Sequence, residues 1–263
     1  MLVFAAHVPN SPLLMASIAG DRVGAISKTH EALELLAGHL YAAKPDTIVI
    51  IADLPTRYAD AFSLSVSDPF VADLSEVGDL GYHQQYHPDF HLIDSLQREL
   101  RKLDEPVSLS TDPHLNFTAA IPLHILAEHL PNLKIVPLSP SDLTPKDHFV
   151  FGQSLKHALS ASNKRLAVIS TGDLSHTLTS FAPGGYDVAG ASYDDTLLTL
   201  LEEHNVVGLL GLEEKLRHAA QESAYFKLLI LLGVLDGMPV STNLLSYEYP
   251  FGVGLAVLQF NLE

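Results

Sequence analysis

The sequence contains no cysteine among its 263 residues. This absence excludes disulfide bonds, thiolate nucleophiles, and zinc or iron–sulfur sites that depend on cysteine ligands. Any bound metal must therefore be held by histidine, aspartate, glutamate or tyrosine side chains. A chain of this length buries enough apolar surface to form a stable core without covalent cross-links.

Basic residues are also scarce. The chain has 15 lysines and arginines against 31 aspartates and glutamates, which gives a formal net charge of −16 at pH 7. Binding to a nucleic-acid backbone or to an anionic membrane surface depends on clustered positive charge. The composition therefore predicts that neither nucleic acid nor a membrane is a partner.

Long hydrophobic runs are missing as well. The longest strongly apolar stretch, residues 228–235, is far shorter than the roughly 20 residues of a membrane-spanning helix. The apolar N-terminal stretch carries no basic residue and is interrupted by Pro9 and Pro12, which is not typical of a signal peptide. These features predict a cytoplasmic protein.

What the sequence does contain is an alternation of strand-like and helix-like stretches. Residues 47–52 form an unbroken apolar run after Thr47, which is typical of a strand covered on both faces. Thr144 followed by Pro145 is a helix start signal, an N-cap residue and then proline at the first helical position. Residues 68–88 are rich in turn formers and show no clear period, which predicts a long loop.

The remaining elements follow from hydrophobic spacing. Further strands are predicted at residues 2–6, 62–66, 134–138 and 165–170, and an antiparallel pair within 243–260. Helices are predicted at 21–43, 90–103, 119–129, 145–160, 193–203 and 218–235. This order predicts an α/β fold, with one domain over residues 1–263, a mostly parallel central sheet, helices on both faces and an antiparallel edge.

Polar side chains follow several of the predicted strands. His7 follows the first strand, Asp53 follows the strand at 47–52, and the segment Gly172–His176 follows the strand at 165–170. Ligands of open α/β sheets bind beyond the carboxyl ends of the strands. Glu222 lies among apolar residues in the predicted helix at 218–235. Histidine and carboxylate ligands with open positions are typical of non-haem Fe(II), with zinc as an alternative.

For each of these candidate residues, a purely structural role is the alternative to a functional one. His7 can bond backbone groups at a strand end, and Asp53 can cap a turn. Asp173 and Ser175 are common turn residues that bond their own backbone. Ser175 lacks the surrounding pattern of a nucleophile elbow. Glu222 can lie on a solvated helix face.

Most of the 14 histidines are interpreted as surface residues. His83, His87 and His91 are spaced by four, but Pro88 argues against one continuous helix, so they are predicted to lie in a solvated loop. Those in predicted helical stretches or beside other polar residues are interpreted as solvent-exposed: His30, His39, His124, His129, His148, His157, His204 and His218.

Several segments, in this order and spacing, resemble the class III extradiol ring-cleavage dioxygenase superfamily. The similarity extends over nearly the whole chain, and the nearest likeness is to the members associated with the AmmeMemoRadiSam group and to Memo-like proteins. The segments are Ala6-His7-Val8-Pro9, Lys44-Pro45-Asp46-Thr47, Ser170-Thr171-Gly172-Asp173-Leu174-Ser175-His176, Pro183-Gly184-Gly185-Tyr186-Asp187, Gln221-Glu222-Ser223 and Tyr247-Glu248-Tyr249-Pro250-Phe251-Gly252.

The resemblance implies a mononuclear Fe(II) held by two histidines and one glutamate, with a further histidine as the acid–base catalyst. His7 and Glu222 match two of the ligands, although nearer relatives place the histidine where Asn10 stands. His176 matches the catalytic histidine. The second histidine ligand is replaced by Leu54.

Asp53 is therefore considered as a substitute ligand beside Leu54. A second active-site histidine of the family falls at Phe117 in this chain, with His114 three residues out of register. Asp173, Ser175, Asn10 and His114 are accordingly predicted as further pocket residues.

The resemblance implies an Fe(II)-dependent oxidoreductase acting on a catechol-like aromatic and dioxygen, with a partly degenerate metal site. Two alternatives for the metal remain: zinc in place of iron, and a site without any metal. The alternatives are a non-catalytic Memo-like binding or scaffold protein and a metal-dependent hydrolase, since the same ligands can activate water. The fold is compatible with a homo-oligomer. Fold similarity alone does not separate these functions.

Overall fold

The apolar stretches form the centre of one mixed sheet in the computed structural model, which describes all residues from Met1 to Glu263. The strands are β1 (Leu2–Val8), β2 (Thr47–Ile51), β3 (Phe62–Ser65), β4 (Phe70–Leu74), β5 (Asp79–Pro88), β6 (Val107–Ser110), β7 (His114–Leu115), β8 (Lys134–Ser139), β9 (Leu166–Thr171), β10 (Val240–Glu248) and β11 (Leu255–Leu262).

Nine α-helices accompany the sheet. They are α1 (Ala16–Ala19), α2 (Ser27–Ala43), α3 (Phe90–Lys102), α4 (Phe117–Ala127), α5 (Pro145–Ser160), α6 (Val188–Glu202), α7 (Val206–Leu210), α8 (Glu214–Ala220) and α9 (Tyr225–Leu235). None of them has both the length and the apolar character that crossing a membrane would require.

The strand order is β10-β11-β1-β9-β2-β8-β5-β4-β7, and β3 joins β8 and β6 away from this path. The neighbouring pairs β1 and β9, β9 and β2, β2 and β8, and β8 and β5 are all parallel. β11 runs antiparallel to β1, and β10 runs antiparallel to β11. The predicted α/β fold with a mostly parallel centre and an antiparallel edge is confirmed.

The central strands are buried on both faces, as an apolar strand without alternation requires. Along β2, Ile48 and Ile50 pack into one hydrophobic cluster, and Val49 and Ile51 pack into the other. One cluster contains α5 and α9 residues, and the other contains α2 and α4 residues. The sheet therefore lies between two cores.

Helix α5 begins where Thr144 and Pro145 predict. The Thr144 hydroxyl accepts a hydrogen bond from the Asp147 backbone N–H, and the Asp147 carboxylate accepts one from the Thr144 backbone N–H, forming a capping box. α5 then packs closely on α9: a Cβ on Gly152 would lie 2.2 Å from the Ile230 carbonyl oxygen. This contact fixes α9, which carries part of the site.

The prediction of a loop over residues 68–88 is wrong. This region contains the antiparallel strands β4 and β5, with Phe70 opposite Tyr86. Most β5 side chains are exposed, so the strand carries no continuous apolar signal. Its pairing with β4 and β8, rather than its own hydrophobicity, holds it in the sheet.

The prediction of one helix over residues 218–235 is also wrong. α8 ends before Gln221, which has the left-handed backbone conformation at φ 52°, and α9 begins at Tyr225. Glu222 consequently lies in the break between two helices. The break separates the glutamate from the apolar face of α9.

His148 is not a surface residue. It is fully buried near the start of α5, where its Nδ1 lies 2.9 Å from the Thr144 carbonyl oxygen. Its ring lies edge-on to Phe62 and is tilted against Phe226. The aromatic neighbours come from distant parts of the chain, so the local helical pattern does not reveal this environment.

Candidate functional site

The candidate site lies where β1, β9 and β2 end next to one another. His7 lies in β1, Asp53 follows β2, and the segment 172–176 follows β9. The break between α8 and α9, residues 221–224, packs against this edge. Because these strands are parallel neighbours, their carboxyl ends bring together side chains that are far apart in sequence.

Two backbone segments are tied together at the centre of the site. The Asp173 N–H donates to the Ser223 hydroxyl at 2.9 Å, and the Ser223 N–H donates to the Asp173 carbonyl at 3.0 Å. Gly172 has φ +151°, and a Cβ there would lie 2.7 Å from Ala224 Cα. Only glycine therefore allows residues 172–176 to approach the break between α8 and α9.

His7 is fully buried. Its Nδ1 lies 2.9 Å from the Ser170 hydroxyl oxygen in the neighbouring strand. Burial and, to a smaller extent, the positive charge of Lys227 lower the pKa of His7 to about 3. The other ring nitrogen, Nε2, is buried without a hydrogen-bond partner in the protein.

Asp173 and His176 form a close pair. Asp173 Oδ1 accepts a hydrogen bond from the Asn10 backbone N–H at 2.9 Å, and Asp173 Oδ2 lies 3.8 Å from His176 Nε2. Burial raises the pKa of Asp173, an effect that the nearby His176 partly offsets. The imidazole of His176 stays partly exposed, with 24% of its side-chain surface accessible.

Glu222 has a buried side chain that bonds the first residue of α9. Its side chain is 8% exposed, and Oε2 accepts a hydrogen bond from the Tyr225 backbone N–H at 2.7 Å. Oε1 lies 3.9 Å from Nη1 of Arg217, a buried arginine stacked over the Tyr225 ring. Burial raises the pKa of Glu222, and the positive charges of Lys227 and Arg217 act in the opposite direction.

Lys227 is a functional candidate that the sequence reasoning missed. Its side chain is only 3% exposed, and its ammonium group forms an ion pair with Asp53 Oδ2. Arg57 Nη1 lies 3.5 Å from the other oxygen of Asp53. A lone lysine in the otherwise apolar helix α9 is the sequence signal that could have identified it.

A cavity of about 570 Å³ opens at this edge of the sheet. Ten of its twelve lining residues are polar or charged, and Pro140 and Phe226 are the exceptions: Asp53, Arg57, Pro140, Asp142, Glu214, Arg217, His218, Gln221, Glu222, Ser223, Phe226 and Lys227. His7, Asp173 and His176 do not line the cavity, but Asp173 is joined to the lining residue Ser223 by hydrogen bonds. The cavity can hold a small polar molecule.

The remaining predicted pocket residues have different environments. Asn10 is buried and holds Asp173 through its backbone, whereas Ser175 is buried with its hydroxyl 3.2 Å from the Ala220 carbonyl. His114 is exposed in β7 and does not line the cavity. Asn116 instead donates its side-chain N–H to the Asp53 carbonyl at 2.8 Å.

The side chains present do not fit the implied metal. No group of three or more histidine, aspartate or glutamate side chains is placed so that it could hold a metal ion. The carboxylate of Asp53 is engaged by Lys227 and Arg57, and Leu54 beside it is buried and apolar. The predicted ligand set of His7, Asp53 and Glu222 is therefore not assembled.

Comparison with known proteins gives the following similarities. The family model described as "Catalytic LigB subunit of aromatic ring-opening dioxygenase" matches residues 1–258. Protein CA_C1420 of Clostridium acetobutylicum is 24% identical over 96% of this chain, which spans 56% of that protein's length. The uncharacterized protein JW3007 from Escherichia coli K12 has the same fold, with a TM-score of 0.68, 15% identity and coverage of 98% of this chain and 99% of its own.

Proposed function

Since the chain belongs to the family of the catalytic LigB subunit of aromatic ring-opening dioxygenases, we propose that its cavity binds a small catechol-like aromatic molecule and that His176 exchanges a proton with a hydroxyl group of this ligand. One observation carries the proposal: a partly exposed histidine is paired with a buried aspartate that is hydrogen-bonded to Ser223 in the cavity wall. Such a pair is a typical arrangement for acid–base chemistry.

The cavity suits a ligand of this kind. A volume of about 570 Å³ is ample for a substituted aromatic ring. Phe226 offers an apolar contact for the ring, while Arg57, Arg217 and Lys227 bring positive charge to the wall. Each of these cations lies close to a carboxylate of the wall, namely Asp53, Asp142 or Glu222, so the wall offers both charged donors and charged acceptors to the hydroxyl groups of a ligand.

The pairing of His176 and Asp173 defines the proposed proton transfer. The Asn10 N–H holds the Asp173 carboxylate, and the carboxylate in turn orients the imidazole and stabilises it once protonated. When a catechol hydroxyl group lies at the imidazole, the proton moves from oxygen to the ring nitrogen. The resulting phenolate would contact a cationic side chain of the wall, such as Arg217 or Lys227.

Fe(II)-dependent ring cleavage, which the resemblance implies, is not part of the proposal. The resemblance implies iron and dioxygen, but the donor set described above does not fit the metal. The proposal therefore retains the aromatic ligand and the proton transfer and includes no step at a metal. It agrees with the alternative of a binding protein on this fold.

Calorimetric titration of catechol and 3,4-dihydroxybenzoate into the protein tests the proposal. Titrations in two buffers of different ionisation enthalpy report the number of protons exchanged on binding. We expect binding by the parent protein with proton exchange, and retained binding without this exchange in His176→Gln. His218→Gln is the matched control, because His218 also lines the cavity but is exposed and paired only with Glu214.

Two results would overturn the proposal. The first is the absence of binding for both ligands. The second is oxygen consumption with a ring-opened product when Fe(II) is supplied, which would establish the iron-dependent dioxygenase instead. An oxygen electrode together with the absorbance of the ring-opened product detects the second result.

A further inference from the structure

Lys227 places a positive charge in the interior of the site. It lies in the first turn of α9, and the residue as a whole is 2% exposed. A buried ammonium group is costly unless it is paired. Its ion pair with Asp53 supplies that partner, and the cavity wall also contains Glu222 and Asp142.

This charge acts on several nearby side chains. Lys227 lowers the pKa of His7, after burial itself, and it also counteracts the effect of burial on Glu222 and Asp173. The ammonium group is thus electrostatically coupled to His7 and Glu222, which match two metal ligands of the family, and to the pocket residue Asp173. A fixed positive charge among these groups disfavours the binding of a divalent cation there.

A second difference accompanies the lysine. Leu54, at the position of the second histidine ligand, is 5% exposed and packs into the hydrophobic cluster on one face of the sheet. The neighbouring Asp53 directs its carboxylate to Lys227 and Arg57. The site therefore lacks an imidazole at position 54 and has a cation at position 227.

We propose that the Lys227 ammonium group takes the place of a divalent metal in this pocket. It neutralises Asp53 and compensates the surrounding buried carboxylates, and it excludes a metal ion from the space between them. An anionic oxygen of a ligand in the cavity would contact the ammonium group directly. The inference concerns the resident cation and does not depend on which ligand the cavity binds.

Metal titration of four proteins tests the inference. The parent protein, purified without an affinity tag and treated with a chelator, is compared with Leu54→His, Lys227→Met and the double variant. Fe(II), Zn(II) and Co(II) are added, and binding is followed by calorimetry, by the visible spectrum of Co(II), and by metal analysis after desalting. None of these measurements depends on enzymatic activity.

We expect no stoichiometric metal in the parent protein. The double variant should bind one metal ion with an affinity at least about tenfold higher than that of Leu54→His alone, since it combines the new imidazole with the removal of the repelling charge. Bound metal should also raise the Tm of the double variant and leave that of the parent protein unchanged. A Co(II) spectrum typical of nitrogen and oxygen ligands would support this assignment.

Lys164→Met provides the matched control. Lys164 also pairs with an aspartate, Asp89, at 2.5 Å, but this pair lies away from the cavity. Its removal should lower stability without creating metal affinity.

Stoichiometric binding of Fe(II) or Zn(II) by the parent protein would overturn the inference, and this measurement needs no variant to fold. Equal metal affinity of Leu54→His and the double variant would overturn it as well. Failure of the aromatic ligands to bind, in contrast, would affect only the function proposed above.

Discussion

Asp194 is a buried carboxyl group that supports the site without facing the cavity. Its Oδ1 accepts a hydrogen bond from the Ser175 backbone N–H at 2.8 Å, and its Oδ2 accepts one from the Tyr247 hydroxyl at 2.7 Å. Burial raises the pKa of Asp194 to about 7. Through Ser175 it fixes the backbone next to His176.

Asp194→Asn should reduce the pH dependence of stability. A free aspartate has a pKa near 3.9, so between about pH 4 and 7 the folded protein holds a proton that the unfolded chain has lost. Stability therefore falls as the pH rises through this window, with a slope of at most about 1.4 kcal/mol per pH unit. Urea unfolding at pH 5, 6, 7 and 8 measures the slope. An unchanged slope in the variant would contradict the assignment to Asp194.

Ser170→Ala should destabilise the protein. The substitution removes the only side-chain partner of His7 Nδ1 and leaves a buried imidazole nitrogen unsatisfied. The expected loss is about 1–3 kcal/mol in the free energy of unfolding. Chemical denaturation measures it, with the exposed Ser192→Ala in α6 as the control. A loss of the same size in both variants would argue against a role of the Ser170–His7 contact.

At the scale of elements, the crossing of α5 and α9 positions the lysine. A Cβ on Gly233 would lie 2.1 Å from the Phe149 carbonyl oxygen, and one on Gly152 would meet Ile230 about as closely. Both obstructing atoms belong to the backbone, so they cannot move aside as a flexible side chain can. The two glycines allow α9 to pack closely against α5. This packing fixes the position of α9 and hence the position of Lys227.

Gly233→Ala should therefore both destabilise the protein and disturb the site. Overpacking of this kind costs about 1–3 kcal/mol, and the displaced helix should weaken the contact between Lys227 and Asp53. Thermal unfolding measures the first effect, and calorimetric titration of catechol the second. Gly38→Ala in α2 is the control, because a Cβ there meets nothing within 4 Å. It should raise stability slightly, and a similar gain for Gly233→Ala would refute the packing argument.

The elements that sequence patterns predict well are those governed by local chemistry. The capped start of α5 at Thr144 and the doubly buried strand β2 follow from their own residues. β5 is exposed and depends on its partner strands, and the break at Gln221 requires a left-handed backbone in a residue other than glycine. Neither feature has a strong local signature.

The same distinction applies to the candidate site. His7, Asp173, His176 and Glu222 could be predicted because they follow strands or interrupt apolar stretches, and the structure places them at one edge of the sheet. Lys227 could not be assigned a role, since its importance comes from Asp53, 174 residues earlier in the chain. The pairing that occupies Asp53 is a tertiary property.

At the scale of the whole molecule, the excess of negative charge opposes compactness. The formal charge of −16 is spread over a surface on which most aspartates and glutamates are exposed. Repulsion among such charges is screened over a distance of about 10 Å at 0.1 M salt. The ion pair of the buried Lys227 with the partly exposed Asp53 is screened less than the pairs at the surface.

Raising the NaCl concentration from about 20 to about 300 mM should increase stability, because salt screens the surface repulsion. A gain of roughly 1 kcal/mol corresponds to a rise in Tm of about 2–4 °C for a chain of this size. Differential scanning fluorimetry measures the Tm. A fall in Tm with salt would show that attractive ion pairs, rather than net repulsion, dominate the surface.

The position of β1 between β9 and β11 has a consequence for synthesis on the ribosome. His7 and its partner Ser170 are 163 residues apart, and the second neighbour of β1 is formed even later in the chain. At about 5–20 residues per second, roughly 8–30 s separate the emergence of these two residues. Throughout that interval the apolar first strand has no neighbour with which to pair. The nascent chain therefore carries the histidine of the site without its neighbouring strand until residues 166–171 have emerged.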